Sequence, residues 1–368
     1  MTKQLLVLVA CGLGSLGCSY ALAQEKTAPT AAPAAAPDPT MGVTFQDVQV
    51  GQGAQAKAGS CVVVHLVGTI KGGEEIENTR ASEQPIGIVL RPGPGGVPIA
   101  GLTPGISGMK VGGKRTVMIP AAAAFGDKES KFGSKTIPAN SDLHFEIELV
   151  DIVVIEDLQV GTGAECKPGT IVNAHYRGTF KSSGEEFDSS YSRGSPATFP
   201  LANVIKGWTE GVPGMKVGGK RKLTIPYQFA YGEKGRAPKI PEKADLVFEI
   251  ELVAALDIID EKVGDGPEVP PVERGKPAPI VNVHYRGTLK SDGKEFDSSY
   301  SRGEPIEFAL TQVIPGWTYG IPGMKVGGKR KLIIPWQFAY GEQGAGGLIG
   351  PKADLVFEVE LLGVKSGT

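Results

Sequence analysis

One fourteen-residue phrase occurs three times in the chain, and its spacing constrains the fold more than any other feature. It reads SGMKVGGKRTVMIP at Ser107–Pro120, PGMKVGGKRKLTIP at Pro213–Pro226 and PGMKVGGKRKLIIP at Pro322–Pro335. The steps between the copies are 106 and 109 residues. A period of that size is typical of tandem domains that each have their own core, and not of a solenoid of short repeats.

The repeat divides the chain into three domains behind an N-terminal segment. We expect a signal peptide at 1–23, an Ala- and Pro-rich linker at 24–41, and domains at 42–151, 152–254 and 255–364. The chain has 368 residues, of which 41% are hydrophobic, and this is enough for three packed cores.

The first residues have the pattern of an export signal. Lys3 gives a positive start, Leu5–Leu16 is mostly apolar, and Ala21-Leu22-Ala23 is an A-x-A cleavage site. The apolar run is too short to span a membrane as a helix. We therefore expect an exported protein of the periplasm or the extracellular space of a bacterial cell envelope.

The four cysteines indicate neither a disulfide framework nor a strong membrane anchor. Leu8-Val9-Ala10-Cys11 is similar to a lipobox, so membrane attachment is expected only if Cys11 or Cys18 is lipidated; cleavage after Ala23 is the favoured alternative. Cys61 and Cys166 stand at different positions of their repeats, and the third repeat has no cysteine. We expect two unpaired thiols.

Charge and motif spacing exclude several classes of function. The net charge of −2 argues against nucleic acid as a partner. The repeated histidines His65, His175 and His284 lack partners at ligand spacing, so no metal is expected. The G-x-G triplets lack the third glycine of a dinucleotide site, and no cofactor is expected.

The third repeat shows the pattern of strands most clearly. Val281, Val283 and Tyr285 alternate with polar residues, as expected for a half-buried antiparallel strand. The last strand alternates over 355–361, and Pro315 is placed to begin a short helix. Several strands and one short helix in about 100 residues predict a small α+β domain with an antiparallel sheet wrapped on a helix.

Four stretches of the third repeat carry a resemblance to a known family. They are VHYRGTLKSDGKEFDSS (Val283–Ser299), VIPGWTYGIPGMKVGGKRKL (Val313–Leu332), FAYGE (Phe338–Glu342) and ADLVFEVELL (Ala353–Leu362). In this order and spacing they strongly resemble the FK506-binding protein (FKBP) family of peptidyl-prolyl isomerases, and the second repeat matches equally. The resemblance implies a five-stranded antiparallel sheet curled around a short helix, with an apolar pocket between them.

The resemblance also implies which residues line each pocket. In the second repeat these are Tyr176, Phe187, Asp188, Val204, Ile205, Trp208, Tyr231, Ile240 and Phe248. In the third they are Tyr285, Phe296, Asp297, Val313, Ile314, Trp317, Tyr340, Ile349 and Phe357. The Trp is expected to form the floor. Tyr231 or Tyr340 is expected to donate a hydrogen bond to a substrate carbonyl. Each Asp is expected at the pocket edge, to act electrostatically or to hold the strand Tyr.

The second and third repeats depart from the family pattern at the pocket wall and in one loop. Ala197 and Ile306 replace an aromatic wall residue. The loop after the donor Tyr is charged in the second repeat, with Arg236 and Lys239, and has the small Ala345 in the third.

The first repeat departs much further. Leu66 replaces the strand Tyr, Ile76-Glu77 replaces Phe-Asp, Leu102 replaces Trp and Phe125 replaces the donor Tyr. Arg91–Gly96 is an inserted Pro/Gly loop. We expect the same fold with an altered pocket.

The export signal and the resemblance together imply an exported peptidyl-prolyl cis-trans isomerase whose substrates are proline-containing unfolded or loop polypeptides. The second and third domains would be catalytic, and the first would bind or space. An apolar pocket suits this reaction because the twisted amide of the transition state is less charge-separated than the planar one. The alternative is a non-catalytic chaperone that holds polypeptide in the same clefts, and a more distant one is a structural spacer.

Overall fold

The computed structural model describes residues 40–93, 95–133, 135–273 and 275–367. The expected signal peptide, Cys11, Cys18 and the linker up to residue 39 lie outside the described residues. In the part of the chain that is described, no helix is long and apolar enough to cross a membrane.

In the described residues of the first domain there are eight strands and one short α-helix. They are β1 (Thr44–Gln49), β2 (Cys61–Ile70), β3 (Glu75–Asn78), β4 (Ile86–Val89), α1 (Leu102–Ile106), β5 (Lys114–Ile119), β6 (Ser130–Phe132), β7 (Lys135–Ile137) and β8 (Leu143–Ile152). The main sheet has the order β1-β5-β8-β2-β3, and β4 also pairs with β2. Strands β6 and β7 form a separate hairpin.

The second and third domains repeat this arrangement without the extra hairpin. The second consists of β9 (Val154–Gln159), β10 (Ile171–Phe180), β11 (Glu186–Ser189), β12 (Ala197–Pro200), α2 (Lys206–Gly211), β13 (Lys220–Ile225) and β14 (Leu246–Ala255). The third consists of β15 (Asp257–Lys262), β16 (Ile280–Leu289), β17 (Glu295–Ser298), α3 (Ser299–Arg302), β18 (Ile306–Ala309), α4 (Pro315–Gly320), β19 (Lys329–Ile334) and β20 (Leu355–Lys365).

Each main sheet is antiparallel and has five positions, as predicted, but six strand segments. Two short segments, such as β11 and β12, pair with different parts of one long strand and together fill the fifth position. A single residue separates β8 from β9, and another separates β14 from β15. The domains therefore follow one another with almost no linker.

The predicted alternation is confirmed in the third domain. Val281, Val283 and Tyr285 are buried, and so are the four inward residues of β20: Leu355, Phe357, Val359 and Leu361. Helix α4 begins at Pro315, as expected. A Cβ atom on Gly316 would lie 2.4 Å from Cγ2 of Ile334, so only glycine lets this helix pack so closely on the sheet.

One arginine of the repeated phrase is buried in every domain: Arg115, Arg221 and Arg330. In each case the guanidinium binds a carboxylate of the domain's first strand and two carbonyl oxygens at the end of the short helix. The arginine of the repeated Lys-Arg pair therefore has a structural role, because it links the short helix to the edge strand of the sheet.

The first two domains share a packed junction. Val63 and Val89 of the first domain are buried in one cluster with Phe229 of the second. A Cβ atom on Gly87 would lie 3.0 Å from Cζ of Phe229, so the first sheet closely covers this ring. Cys61 lies in the same cluster, and burial is the main cause that raises its pKa to about 12.

Charged groups of the inserted loop extend the same junction. The Arg91 guanidinium binds both carboxylate oxygens of Glu210, with Nη2 3.0 Å from Oε1. Nζ of Lys206 donates to the carbonyl of Gly95 over 3.1 Å. Both partners in the second domain belong to helix α2, so the first domain is fastened to that helix.

Candidate functional site

The third domain has an open cavity of about 430 Å³ between its sheet and helix α4. Eight of the nine residues predicted for this pocket line it: Tyr285, Phe296, Asp297, Val313, Ile314, Trp317, Tyr340 and Phe357. The side chains come from several elements: strands β16, β17 and β20, helix α4, and the segments before and after that helix. The cavity therefore gathers residues that are up to 72 positions apart in the sequence.

The second domain has a matching cavity of about 460 Å³. Its predicted lining residues are Tyr176, Phe187, Asp188, Val204, Ile205, Trp208, Tyr231 and Phe248. The agreement between the two domains follows from their equal sheet registers, since Gly178 pairs with Phe248 as Gly287 pairs with Phe357.

Two predicted residues, Ile240 and Ile349, do not line the cavities. Both are buried in the cores of their domains. The main chain of each forms an isolated bridge, Ile240 with Arg236 and Ile349 with Ala345. Their main chains brace the loop at the rim, and their part in the pocket stays a prediction.

A tryptophan forms the floor of each cavity, and aromatic rings stand on it nearly at right angles. The Trp317 ring lies 5.3 Å from Tyr285 and 5.1 Å from Phe357, with interplanar angles of 89° and 90°. Trp208 has the same relation to Tyr176 and Phe248, at 5.6 and 5.3 Å. Edge-to-face contacts of this kind hold the rings in fixed positions. The result is a rigid apolar box open on one side.

A glycine in the long central strand makes room for the wall. A Cβ atom on Gly287 would lie 2.7 Å from Cζ of Phe296 and 2.8 Å from Cε1 of Phe357. Gly178 occupies the same position in the second domain, with Phe187 and Phe248 as its neighbours. Any side chain here would displace the two phenylalanines.

The sequence interpretation missed an aromatic wall residue in each cavity. Phe199 and Phe308 line the cavities, with ring centroids 5.3 and 5.2 Å from the floor tryptophans. Ile306 also lines the third-domain cavity, whereas Ala197 is not among the lining residues of the second. The departures at Ala197 and Ile306 therefore leave one aromatic side chain on this wall, two positions further along the same strand.

The strand tyrosine of each domain is held by an aspartate and an arginine. The Tyr176 hydroxyl donates to Oδ2 of Asp188 at 2.5 Å, and Arg193 donates to Oδ1 of Asp188 at 2.6 Å and to the Tyr176 oxygen at 2.7 Å. In the third domain Tyr285, Asp297 and Arg302 make the same three bonds. Each carboxylate therefore does hold its tyrosine, one of the two roles left open above.

These contacts shift the pKa values of both groups. Burial raises the pKa of Tyr176 and Tyr285 above 10.0, and the hydrogen bond to the aspartate adds to the effect. Burial opposes ionisation of Asp188 and Asp297, but the bonds from tyrosine and arginine outweigh it and hold the pKa of each below 3.8. The aspartates are therefore ionised and the tyrosines neutral at neutral pH.

Tyr231 and Tyr340 line the same cavities as the aspartates. Among the described residues, neither hydroxyl has a hydrogen-bond partner within the protein. Tyr340 is 41% exposed, and burial together with the charge of Asp297 raises its pKa. The Tyr340 hydroxyl is therefore a neutral donor at the cavity mouth. In the residues that the structure covers, no group of three or more His, Cys, Asp or Glu side chains is placed to hold a metal ion.

Comparison with known proteins agrees with this geometry. The profile of the FKBP-type peptidyl-prolyl cis-trans isomerases matches residues 52–150, 163–253 and 272–362. The chain belongs to the FKBP family. Each of the three domains, including the first, is matched.

Relatives match the chain over very different lengths. It is 36% identical over 321 residues to the peptidyl-prolyl cis-trans isomerase FKBP9 of Rattus norvegicus, and 34% identical over 322 residues to human FKBP10. These alignments cover 83% and 84% of the chain but 55% and 54% of the relatives, so the chain spans about half the length of the curated relatives it matches.

Two further matches concern one domain. A probable FK506-binding protein of Corynebacterium glutamicum is 52% identical over 103 residues, which is 28% of the chain and 86% of that protein. The crystal structure of FkpA from Escherichia coli matches with 44% identity over 28% of the chain and 48% of that structure, with a TM-score of 0.27.

In the described part of the first FKBP-type domain, buried aliphatic residues take the positions of the cavity-lining residues of the other two domains. Its residues at the positions of Phe187 and Ile205 are Ile76 and Ile99, which are 5% and 0% exposed, whereas Phe187 and Ile205 are half-buried. Leu66 and Leu102, at the positions of the tyrosine and the tryptophan, are buried as well. Aliphatic side chains thus occupy the place of the aromatic box.

The rim of the first domain also lacks the polar groups of the other two. Phe125 replaces the donor tyrosine and packs against the core, with its ring centroid 6.4 Å from that of Phe132 in the extra hairpin. Glu77 stands at the aspartate position, and five residues later Ser82 replaces the arginine. The expected alteration of this pocket is therefore complete at both the floor and the rim.

The arginines Arg193 and Arg302 were not identified from the sequence, although a signal existed. The segment Ser-Tyr-Ser-Arg-Gly is identical at 190–194 and 299–303, whereas the first repeat reads Thr-Arg-Ala-Ser-Glu at 79–83. This segment is present only in the two repeats that also have the Trp and the Tyr, and this indicates that it has a role in the pocket. Gly194 and Gly303 end the turn with φ of +73° and +78°, which returns the arginine to the tyrosine.

Proposed function

We propose that the chain is a peptidyl-prolyl cis-trans isomerase in which the second and third domains are catalytic. The observation that supports this most strongly is the pair of matching aromatic boxes, each with a tryptophan floor, perpendicular walls and a free tyrosine hydroxyl at the mouth. The substrate would be an X-Pro segment of an unfolded chain or a loop, with the proline ring on the floor.

The reaction needs no nucleophile and no proton transfer. Rotation about an X-Pro bond has a barrier of about 20 kcal/mol because amide resonance must be broken. The twisted state has a less polar C–N–O group, so an apolar box stabilises it relative to the hydrated planar state. A difference of about 5 kcal/mol would accelerate rotation several thousandfold.

The polar groups at the rim would orient the peptide. Tyr340 can donate to a carbonyl of the peptide, since its hydroxyl is neutral and unpaired among the described residues. The Tyr285 hydroxyl is already committed to Asp297, which fixes the ring as a wall. Its partner Arg302 neutralises the carboxylate, so the box gains rigidity without a net charge at its edge.

The test measures isomerisation of a short X-Pro peptide by the full chain and by variants in which the floor tryptophan of each cavity is replaced by leucine. Leucine is the residue that the first domain has at this position, where it is buried. We expect Trp208→Leu and Trp317→Leu each to remove part of kcat/KM and the double variant to remove nearly all of it. Trp336→Leu is the matched control, because this tryptophan lies outside the cavity.

Two outcomes would contradict the proposal. One is a full chain with no effect on the peptide. The other is a double variant that stays folded and keeps the wild-type rate. If the chain is inactive on peptides but suppresses aggregation of an unfolded protein, the chaperone alternative is correct. Exposed apolar side chains beside the third cavity, Ile306 and Leu348, are suited to such binding.

Export is part of the proposal and is supported first by the pattern of residues 1–23. The burial of Cys61 and Cys166 fits an oxidising compartment, since burial raises the pKa of both thiols to about 12 and suppresses the reactive thiolate. N-terminal sequencing of the secreted protein should begin at Gln24. A mature protein that retains residues 1–23 would contradict this part.

A further inference from the structure

The loops that follow Tyr231 and Tyr340 share one main-chain bridge but differ in the chemical character of their side chains. Arg236 and Ile240 exchange two main-chain hydrogen bonds, at 2.8 and 2.9 Å, and Ala345 and Ile349 exchange the same two at 2.9 and 3.0 Å. The side chains at 236 and 345 therefore project from equivalent points of the rim. A difference in side chain at this point is a difference in the mouth of the pocket.

In the second domain this rim is cationic. Arg236 lines the cavity, with its guanidinium carbon 5.9 Å from the ring centroid of Tyr231. Lys234 and Lys239 of the same loop are exposed. Glu233, the carboxylate of this loop, is already paired with Lys243 at 2.9 Å.

The charge of Arg236 is available to a ligand. Among the described residues, no carboxylate lies within ion-pair distance of its guanidinium. The other arginine of this pocket, Arg193, is in contrast fully engaged by Asp188 and Tyr176. Asp188 is in turn neutralised by Arg193, so it does not cancel the field of Arg236.

In the third domain the same rim is small and apolar. Ala345 takes the position of Arg236, and Leu348, which is 54% exposed, takes the position of Lys239. Gln343 replaces Lys234, and Glu342 is paired with Lys352 at 3.0 Å. Among the described residues of this loop, none offers an unpaired charge at the mouth.

We propose that the two pockets divide X-Pro segments by the residue next to the proline. The second domain selects segments with an aspartate or glutamate beside the proline, through Arg236, and the third selects segments with an apolar neighbour, through Ala345 and Leu348. This inference rests on the proposed isomerase function, because it assumes that the proline occupies the aromatic box. A peptide seated there extends over the rim, where a neighbouring carboxylate can reach the guanidinium.

The experiment measures kcat/KM of the full chain for four peptides that differ only in the residue before proline: Glu, Gln, Leu and Lys. In the Trp317→Leu chain, which leaves the second pocket, we expect Glu-Pro to exceed Gln-Pro by about two- to fivefold, the range of exposed ion pairs. Lys-Pro should be the poorest substrate. The Glu-Pro advantage should shrink at high salt, because salt screens exposed charges.

Matched substitutions move the preference between the domains. Arg236→Ala should bring the Glu-Pro to Gln-Pro ratio to about one, and Arg236→Lys should keep part of it. Ala345→Arg in the Trp208→Leu chain should create the preference in the third pocket. Since a floor variant can fail to fold, Arg236→Ala is also measured in the otherwise unchanged chain, where the ratio should fall as well.

The two proposals fail in different ways. If none of the four peptides is isomerised, the proposed function is wrong. A different result is that all four are isomerised, but kcat/KM is equal for Glu-Pro and Gln-Pro in both the Trp317→Leu chain and the wild-type chain. The isomerase function then stands, and the proposed selection by Arg236 is wrong. A ratio above one that survives Arg236→Ala would also overturn it.

Discussion

Arg330 links the first strand of the third domain to the helix that carries Trp317, and its loss should release that helix. Its Nε and Nη2 bind Asp260 at 2.6 and 3.2 Å, and Nη1 donates to the carbonyls of Gly320 and Pro322 at 2.8 and 3.0 Å. Arg330 is 6% exposed. Replacement by alanine would therefore leave two carbonyls at the helix end without their donor in a space closed to bulk water.

The expected cost follows from the number of bonds lost. A hydrogen bond from a charged donor contributes about 1.5–3 kcal/mol, and breaking a buried pair by removing one partner costs about 3–5 kcal/mol. We therefore expect Arg330→Ala to lower the free energy of unfolding of the third domain by about 4 kcal/mol. The side chain of Asp260 is 46% exposed, so water can replace much of its contribution, and Asp260→Ala should cost about 1 kcal/mol.

The three tryptophans make the measurement possible in the full chain. Trp208 lies in the second domain, whereas Trp317 and Trp336 lie in the third. In a Trp208→Phe background, fluorescence during urea unfolding reports the third domain alone. With a urea dependence of about 1.5 kcal/mol per molar for a domain of this size, Arg330→Ala should shift the midpoint by about 2–3 M. A shift below about 0.5 M, or equal shifts for Arg330→Ala and Asp260→Ala, would refute the reasoning.

Two further predictions concern pH and the domain junction. Because the pKa values of Asp188 and Asp297 are held below 3.8, their bonds stabilise the fold above that pH and are lost as the pH falls through the lowered values. The tyrosine pKa values are raised, so the neutral donors persist until the pH rises above 10.0, and kcat/KM should be flat from about pH 5 to 9. Asp297→Asn should reduce the fall of the thermal unfolding temperature at acid pH. An unchanged fall would contradict this. Glu210→Gln should lower the stability of the second domain by about 1 kcal/mol, as followed by Trp208 fluorescence, since it weakens the pair with Arg91. Glu156→Gln, an exposed carboxylate on β9, is the control and should have no effect.

Much of the fold was predictable because its local patterns agree with its long-range pairing. The alternation of Val281, Val283 and Tyr285 determines which face of β16 is buried, and Pro315 marks the start of α4. The residues that line the pockets were predicted from the resemblance to the FKBP family, which extends over whole domains. Where the backbone keeps a simple period or the family order, a residue's place can be predicted from the sequence.

The sequence interpretation missed contacts where the chain leaves a simple period. Ile240 belongs to an irregular loop whose bridge to Arg236 turns its side chain into the core. Arg193 lies in a short 3-10 helix, and only the turn at Gly194 returns it to Tyr176, seventeen residues earlier in the chain. Neither hydrophobic alternation nor composition predicts contacts of this kind, so they could be identified only from the three-dimensional structure.

The first domain shows that the family fold and the pocket are separable. It keeps the sheet order and the buried Arg115, which binds Asp47 as Arg330 binds Asp260. It has buried aliphatic side chains in place of the aromatic box. It also has an inserted loop, whose Arg91 binds Glu210 of the neighbouring domain. Glu210 lies on α2, two residues after the floor tryptophan of the second pocket. The helix that carries that floor is therefore bound from outside its own domain, and a chain without the first domain would lack this contact.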